Sequence, residues 1–96
     1  MRKIEDNENK LIGGWVYNGE NIIEDYTTNR INWLIHNFLL KVTVDESGWN
    51  TLYKDPSDGR YWELTYPESG MHGGGPPVLS SLKIEEVKKR YGLSGI

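Results

Sequence analysis

Asn29-Arg30-Ile31-Asn32-Trp33-Leu34-Ile35-His36-Asn37-Phe38-Leu39-Leu40-Lys41 is the stretch on which the fold turns. Ile31, Leu34, Ile35, Phe38 and Leu39, with Val42 one step further, fall at the i, i+3, i+4, i+7, i+8, i+11 spacing of a single helical face. The spacing predicts a core-facing helix over 29–41. Thr27 or Thr28 is available as its N-cap, where a hydroxyl accepts an orphan amide hydrogen. Arg30, Asn32, Asn37 and Lys41 fall on the polar side, and Lys41 suits the negative end of the helix dipole. His36 borders the apolar stripe and reads as a boundary residue.

Working outward, the pattern changes from period 3.6 to period 2. Trp49–Lys54 and Arg60–Tyr66 are aromatic-rich strands joined by Asp55-Pro56-Ser57-Asp58-Gly59, a loop with a preset proline φ, Asx side chains and a glycine for positive φ. On the second strand Trp62, Leu64 and Tyr66 share one face, and Tyr61, Glu63 and Thr65 the other. Toward the N-terminus, Leu11–Tyr17 is β-favouring but interrupted at Gly13-Gly14. Asn18-Gly19 reads as a two-residue hairpin turn returning through Ile22-Ile23. Toward the C-terminus, Val78–Leu82 is a further strand, and Ile84–Tyr91 a short helix stopped by Gly92. The sum is an α+β fold: a small, mainly antiparallel sheet with one amphipathic helix on a face and a short C-terminal helix. Residues 1–10, charged and Asn-rich, are expected to form a flexible N-terminus, and 11–96 a single domain.

Composition narrows the function. Only 36% of the 96 residues are apolar, but four Trp and six Tyr allow a core built from few side chains. The absence of cysteine excludes disulfides, thiolate metal sites and a cysteine nucleophile, and fits a reducing compartment. The polar start and the lack of any run of about 18 apolar residues point to a cytoplasmic protein without a membrane partner. Net charge is −3, with the excess between Glu20 and Glu68, where nine acids face Arg30, Lys41, Lys54 and Arg60. Such a chain lacks the basic face that nucleic acid requires, and offers one complementary to a basic protein.

Catalytic chemistry finds little support. His72-Gly73-Gly74-Gly75 has the letters of the esterase oxyanion motif, but Ser69, Ser80 and Ser81 lie in no G-x-S-x-G elbow. No Lys-Ser/Thr follows the glycines, so they are not a phosphate cradle. A metal at His72 with Glu63, Glu68 or Asp45 lacks any converging calcium-loop pattern. The reading is therefore a protein that is not an enzyme and carries no metal or cofactor. Two binding features remain. The loop Pro67–Pro77 is too rich in glycine and proline for regular structure. Gly73, Gly74, Gly75, Pro76 and Pro77 shape a backbone able to approach another surface, with Glu68 and His72 as polar contributors. Trp49, Tyr61 and Trp62 could instead form a stacking platform for a small ligand, the alternative reading.

The run Asp55–Ser69, followed by Met71-His72-Gly73-Gly74-Gly75-Pro76-Pro77, resembles the immunity protein 27 family, as do Leu11-Ile12-Gly13-Gly14-Trp15 and Val44-Asp45-Glu46-Ser47-Gly48-Trp49. The resemblance covers most of Leu11–Tyr91. It departs where Lys83 opens the last helix in place of a Ser or Asp cap. It implies a bacterial polymorphic or contact-dependent toxin system, in which such a protein binds and neutralises the C-terminal domain of a cognate toxin, blocking its active site or substrate path. It marks no contact residues. On charge and position alone, Asp45 and Glu46 at a turn tip, Asp58 at the hairpin, and Glu63, Glu68 and His72 near the glycine loop are the expected partner contacts. An acidic inhibitor of this kind would speed association with a basic nuclease cleft and mimic phosphate.

Overall fold

A computed structural model of the chain describes residues 2–68 and 75–93. At its centre lie the two aromatic strands, here β5 (Thr51–Lys54) and β6 (Tyr61–Thr65), paired antiparallel with Tyr53 opposite Trp62. Their connection closes through Asp55, whose buried carboxylate accepts the amide and hydroxyl of Ser57 at 2.7 and 2.6 Å, while Gly59 takes φ +79°. β7 (Val78–Leu82) and β1 (Lys10–Ile12) extend the sheet on one side, and β4 (Leu40–Val44) on the other. The order is β1-β7-β6-β5-β4, every pair antiparallel. A separate two-stranded ribbon pairs β2 (Trp15–Tyr17) with β3 (Ile22–Glu24). With the helices α1 (Tyr26–Asn37) and α2 (Ile84–Tyr91), the fold is α+β, as expected.

Alternation along the strands sends neighbouring side chains to opposite faces, and each face receives one helix. Leu11, Tyr53, Trp62, Leu64 and Leu79 join Ile31 and Leu34 of α1 in the main core. On the reverse face α2 caps β6: the Glu63 carboxylate accepts Arg90 Nη1 and the Tyr91 hydroxyl, both at 2.8 Å. Lys83 precedes α2 without a side-chain cap, as its replacement of Ser or Asp implies, and Gly92 ends the helix at φ +65°.

Three local expectations are corrected. The first helix starts at Tyr26, not Asn29, because Asp25 is the N-cap, its Oδ1 accepting the Thr28 amide at 2.7 Å. It ends at Asn37 rather than Lys41. Leu40–Val44 is instead an edge strand, where β-branched Val42, Thr43 and Val44 satisfy a ladder to β5 that a longer helix would forfeit. Leu39 stays in the core, but Val42 is exposed at a bulge. The turn after Tyr17 has four residues, Asn18–Asn21, with Asn18 Oδ1 accepting the amides of Glu20 and Asn21. The Asx side chain thus does what two mirror-type turn residues were expected to do.

The N-terminal expectation changes most. Residues 2–9 lie against the domain, with Ile4 in the core. Arg30, assigned to the solvent side of the helix, is 2% exposed. It donates to the carbonyls of Arg2 and Lys3 and, through two nitrogens at 2.7 Å each, to the Glu8 carboxylate. Arg60 adds bonds to the carbonyls of Glu8 and Glu5. Two guanidiniums satisfy this polar segment in place of water.

Candidate functional site

Strand register sorts the expected contact residues. Val44 pairs with Thr51, Thr51 with Leu64, Leu64 with Leu79 and Leu79 with Leu11. The turn 45–50, the segment after Thr65, the segment before Val78 and the chain leaving Ile12 therefore all emerge from one end of the sheet. Asp45, Glu46 and Glu68 are brought together at that end. Asp58, in the β5–β6 loop, lies at the other, about 15 Å of strand away.

Asp45 is occupied by its own turn. It accepts Ser47 Oγ at 2.6 Å, Asn50 Nδ2 at 2.7 Å and the Gly48 amide at 3.0 Å. The Ser47 hydroxyl first, then Asn50 and Gly48, hold its carboxyl below the usual aspartate range. Its negative charge is therefore fixed in place, while Glu46 beside it is exposed and its side chain forms no hydrogen bond among those described. Asp58 is paired to Arg60, Oδ2 to Nε at 2.7 Å. Glu63 faces α2 rather than solvent. It is 5% exposed and held beneath α2, where burial and the bond to this carboxylate push the Tyr91 phenol above its ordinary range. The signal for that role was its position facing away from Trp62 and Leu64 while a helix follows the next strand.

Glu68 is exposed on a groove of about 300 Å³ shared with Ile12, Pro67, Pro76 and Val78. Gly75 packs against its backbone. A Cβ there would collide with the Glu68 carbonyl, and φ is +71°, so only glycine fits this closure. Pro76 is half-buried, and Pro77 is buried with its carbonyl accepting the Gly13 amide at 2.8 Å. His72, Gly73 and Gly74 lie outside the described residues. The stacking-platform alternative loses its centre, because Trp62 is fully buried in the main core. Trp49 remains exposed, and Tyr61 is half-buried under Lys54.

Sequence reasoning missed the ribbon as a surface. Trp15, Val16, Tyr17, Ile22 and Ile23 are all exposed, although their β-favouring character read as ordinary strand. A shallow concavity of about 370 Å³ is lined by Trp15, Ile22, Ile23 and Glu24. The sequence signal was Gly13-Gly14. A Cβ at Gly13 would lie 2.5 Å from Thr28 Oγ1 and 2.7 Å from the Pro77 carbonyl, so the pair marks where the chain crosses α1 and leaves the main sheet.

Among the described residues no three His, Asp or Glu converge as metal ligands, and no helix is long and apolar enough to cross a membrane. No curated protein and no solved structure matches the chain. A family model described as Immunity protein 27 matches residues 17–83, more than two-thirds of the length, from the last residue of β2 through β7. That match spans well over half of the chain and settles its kinship: the chain belongs to the immunity protein 27 family.

Proposed function

We propose that this protein works by stoichiometric binding to the C-terminal domain of a cognate toxin, in the cytoplasm of the producing bacterium, and occludes the toxin's active site or substrate path without turnover of its own. The observation that carries the reading is the gathering of Asp45, Glu46 and Glu68 at one sheet end, within a family whose members are immunity proteins. Charge fixed by a turn, as at Asp45, needs no reordering on binding and so is fully available to attract a basic surface. A nuclease of a polymorphic or contact-dependent system has such a surface, and carboxylates there take the place of substrate phosphates. His72, with Gly73 and Gly74, remains an expected contact on its chemistry alone.

The test is co-expression with the toxin domain encoded beside the gene. The expected result is restored growth and a one-to-one complex on co-purification. Cell death together with no complex would overturn the proposal.

A further inference from the structure

The ribbon β2–β3 has more apolar surface than a monomer needs. Pairing Trp15 with Glu24 and Tyr17 with Ile22 puts Trp15, Tyr17 and Ile22 on one face, and Val16 and Ile23 on the other. Tyr17 is 71% exposed, Ile22 68% and Trp15 37%. At about 150–250 Å² per aromatic side chain, the two rings alone present roughly 200 Å² to solvent. With Ile22 on the same face the patch comes to roughly 300 Å², the size that marks an interaction site. It is a substantial part of the about 800 Å² that each partner contributes to a standard interface.

The ribbon is also held in shape before any partner arrives. At its base Thr28 Oγ1 accepts the Gly14 amide at 2.9 Å and donates to the Gly14 carbonyl at 3.0 Å, and the Asp25 amide donates to the same carbonyl. At its tip Asn18 Oδ1 receives two amides, the Tyr17 hydroxyl donates to the Gly19 carbonyl, and Gly19 takes φ +98°. An isolated two-stranded hairpin is marginal in water; this one is pinned at both ends. Ordering costs on binding are correspondingly small.

Charge indicates what covers it. From Gly13 to Asn29 there is no Lys, Arg or His, while Glu20 sits at the exposed tip and Glu24 beside Trp15 on the same face. A second copy of the chain would bring these carboxylates against each other, whereas a basic partner is attracted by them. We infer that the β2–β3 ribbon is the apolar anchor of the toxin interface, with Trp15, Tyr17 and Ile22 seated in an apolar pocket whose rim is basic. This rests on the proposed function above, because the ribbon leaves the same sheet end as Asp45, Glu46 and Glu68.

The experiment measures binding of the adjacent-gene toxin domain, in catalytically inactive form, to the wild-type chain, to a Tyr17→Ser/Ile22→Ser double variant and to a Glu20→Gln/Glu24→Gln double variant. Thermal melts confirm that each is folded. The expected result is at least 100-fold weaker binding by the first variant, mostly through faster dissociation. The second should associate several-fold more slowly at low salt, with the difference vanishing at high salt. If the wild type binds and the Tyr17/Ile22 variant binds within threefold of it, the ribbon inference is overturned and the toxin-binding proposal stands. If the wild type itself does not bind, both fall. If ultracentrifugation shows a wild-type dimer that the Tyr17/Ile22 variant abolishes, the ribbon is a self-association surface and the inference is likewise overturned.

Discussion

Replacing Glu8 with alanine should remove a large share of this domain's stability, although Glu8 lies in a charged, Asn-rich segment before the first strand. Its carboxylate receives two Arg30 nitrogens at 2.7 Å, and Arg30 is almost wholly buried. The substitution leaves the guanidinium out of water with only the carbonyls of Arg2 and Lys3. Breaking a buried pair from one side costs about 3–5 kcal/mol, against about 5–14 kcal/mol for the total stability of a domain this size. Urea unfolding followed by tryptophan fluorescence should show the midpoint falling by about 1.5–5 M, for a slope near 1–2 kcal/mol per M. Replacing both partners, Glu8→Leu with Arg30→Met, should recover much of the loss, because no charge is then stranded.

The same pair predicts acid sensitivity. The Arg30 hydrogen bonds hold the Glu8 carboxyl at about 2, against 4.5 when unfolded. A depressed folded value means the contribution is complete above about pH 4.5 and is lost as pH falls toward 2. It amounts to no more than about 3 kcal/mol. A Glu8→Gln variant should therefore lose less stability than the wild type between pH 5 and pH 2.5. A Glu8→Ala cost below about 1 kcal/mol at pH 7, or parallel pH profiles for wild type and Glu8→Gln, would refute the view that this contact fastens the N-terminal segment.

Three further outcomes are expected. Gly13→Ala forces a Cβ toward Thr28 Oγ1 and the Pro77 carbonyl; it should cost about 1–3 kcal/mol and speed amide exchange across Gly13–Glu24, read by hydrogen-exchange mass spectrometry. Tyr91→Phe removes one of the two bonds to the buried Glu63 carboxylate, so thermal unfolding should register a loss of about 1–3 kcal/mol. Asp45→Ala and Glu46→Gln should separate: the first breaks its turn and lowers the melting temperature, whereas the second leaves stability unchanged and slows association with the toxin domain at low salt.

The sequence by itself determined the elements whose side chains answer to local rules. The strands read at Arg60–Tyr66 and Val78–Leu82, the first observed as Tyr61–Thr65, the glycine stop at Gly92 and the face shared by Trp62 and Leu64 all reappear in the structure. The six expected contacts were legible only by charge and position. Glu46, which is exposed, and Glu63, which lies under a helix, differ locally only in that Glu63 alternates with Trp62 and Leu64 on its strand; what covers that face depends on what packs across the sheet. Tertiary structure alone decided that Leu40–Val44 is strand, since the ladder to β5 outweighs a helical period that continues only one step further. It alone decided that a polar N-terminal segment is part of the fold, because the bonds that hold it come from Arg30 and Arg60, 22 and 52 residues beyond Glu8. Hydrophobic patterning reports what a side chain excludes from water; it carries no record of which distant guanidinium will replace that water.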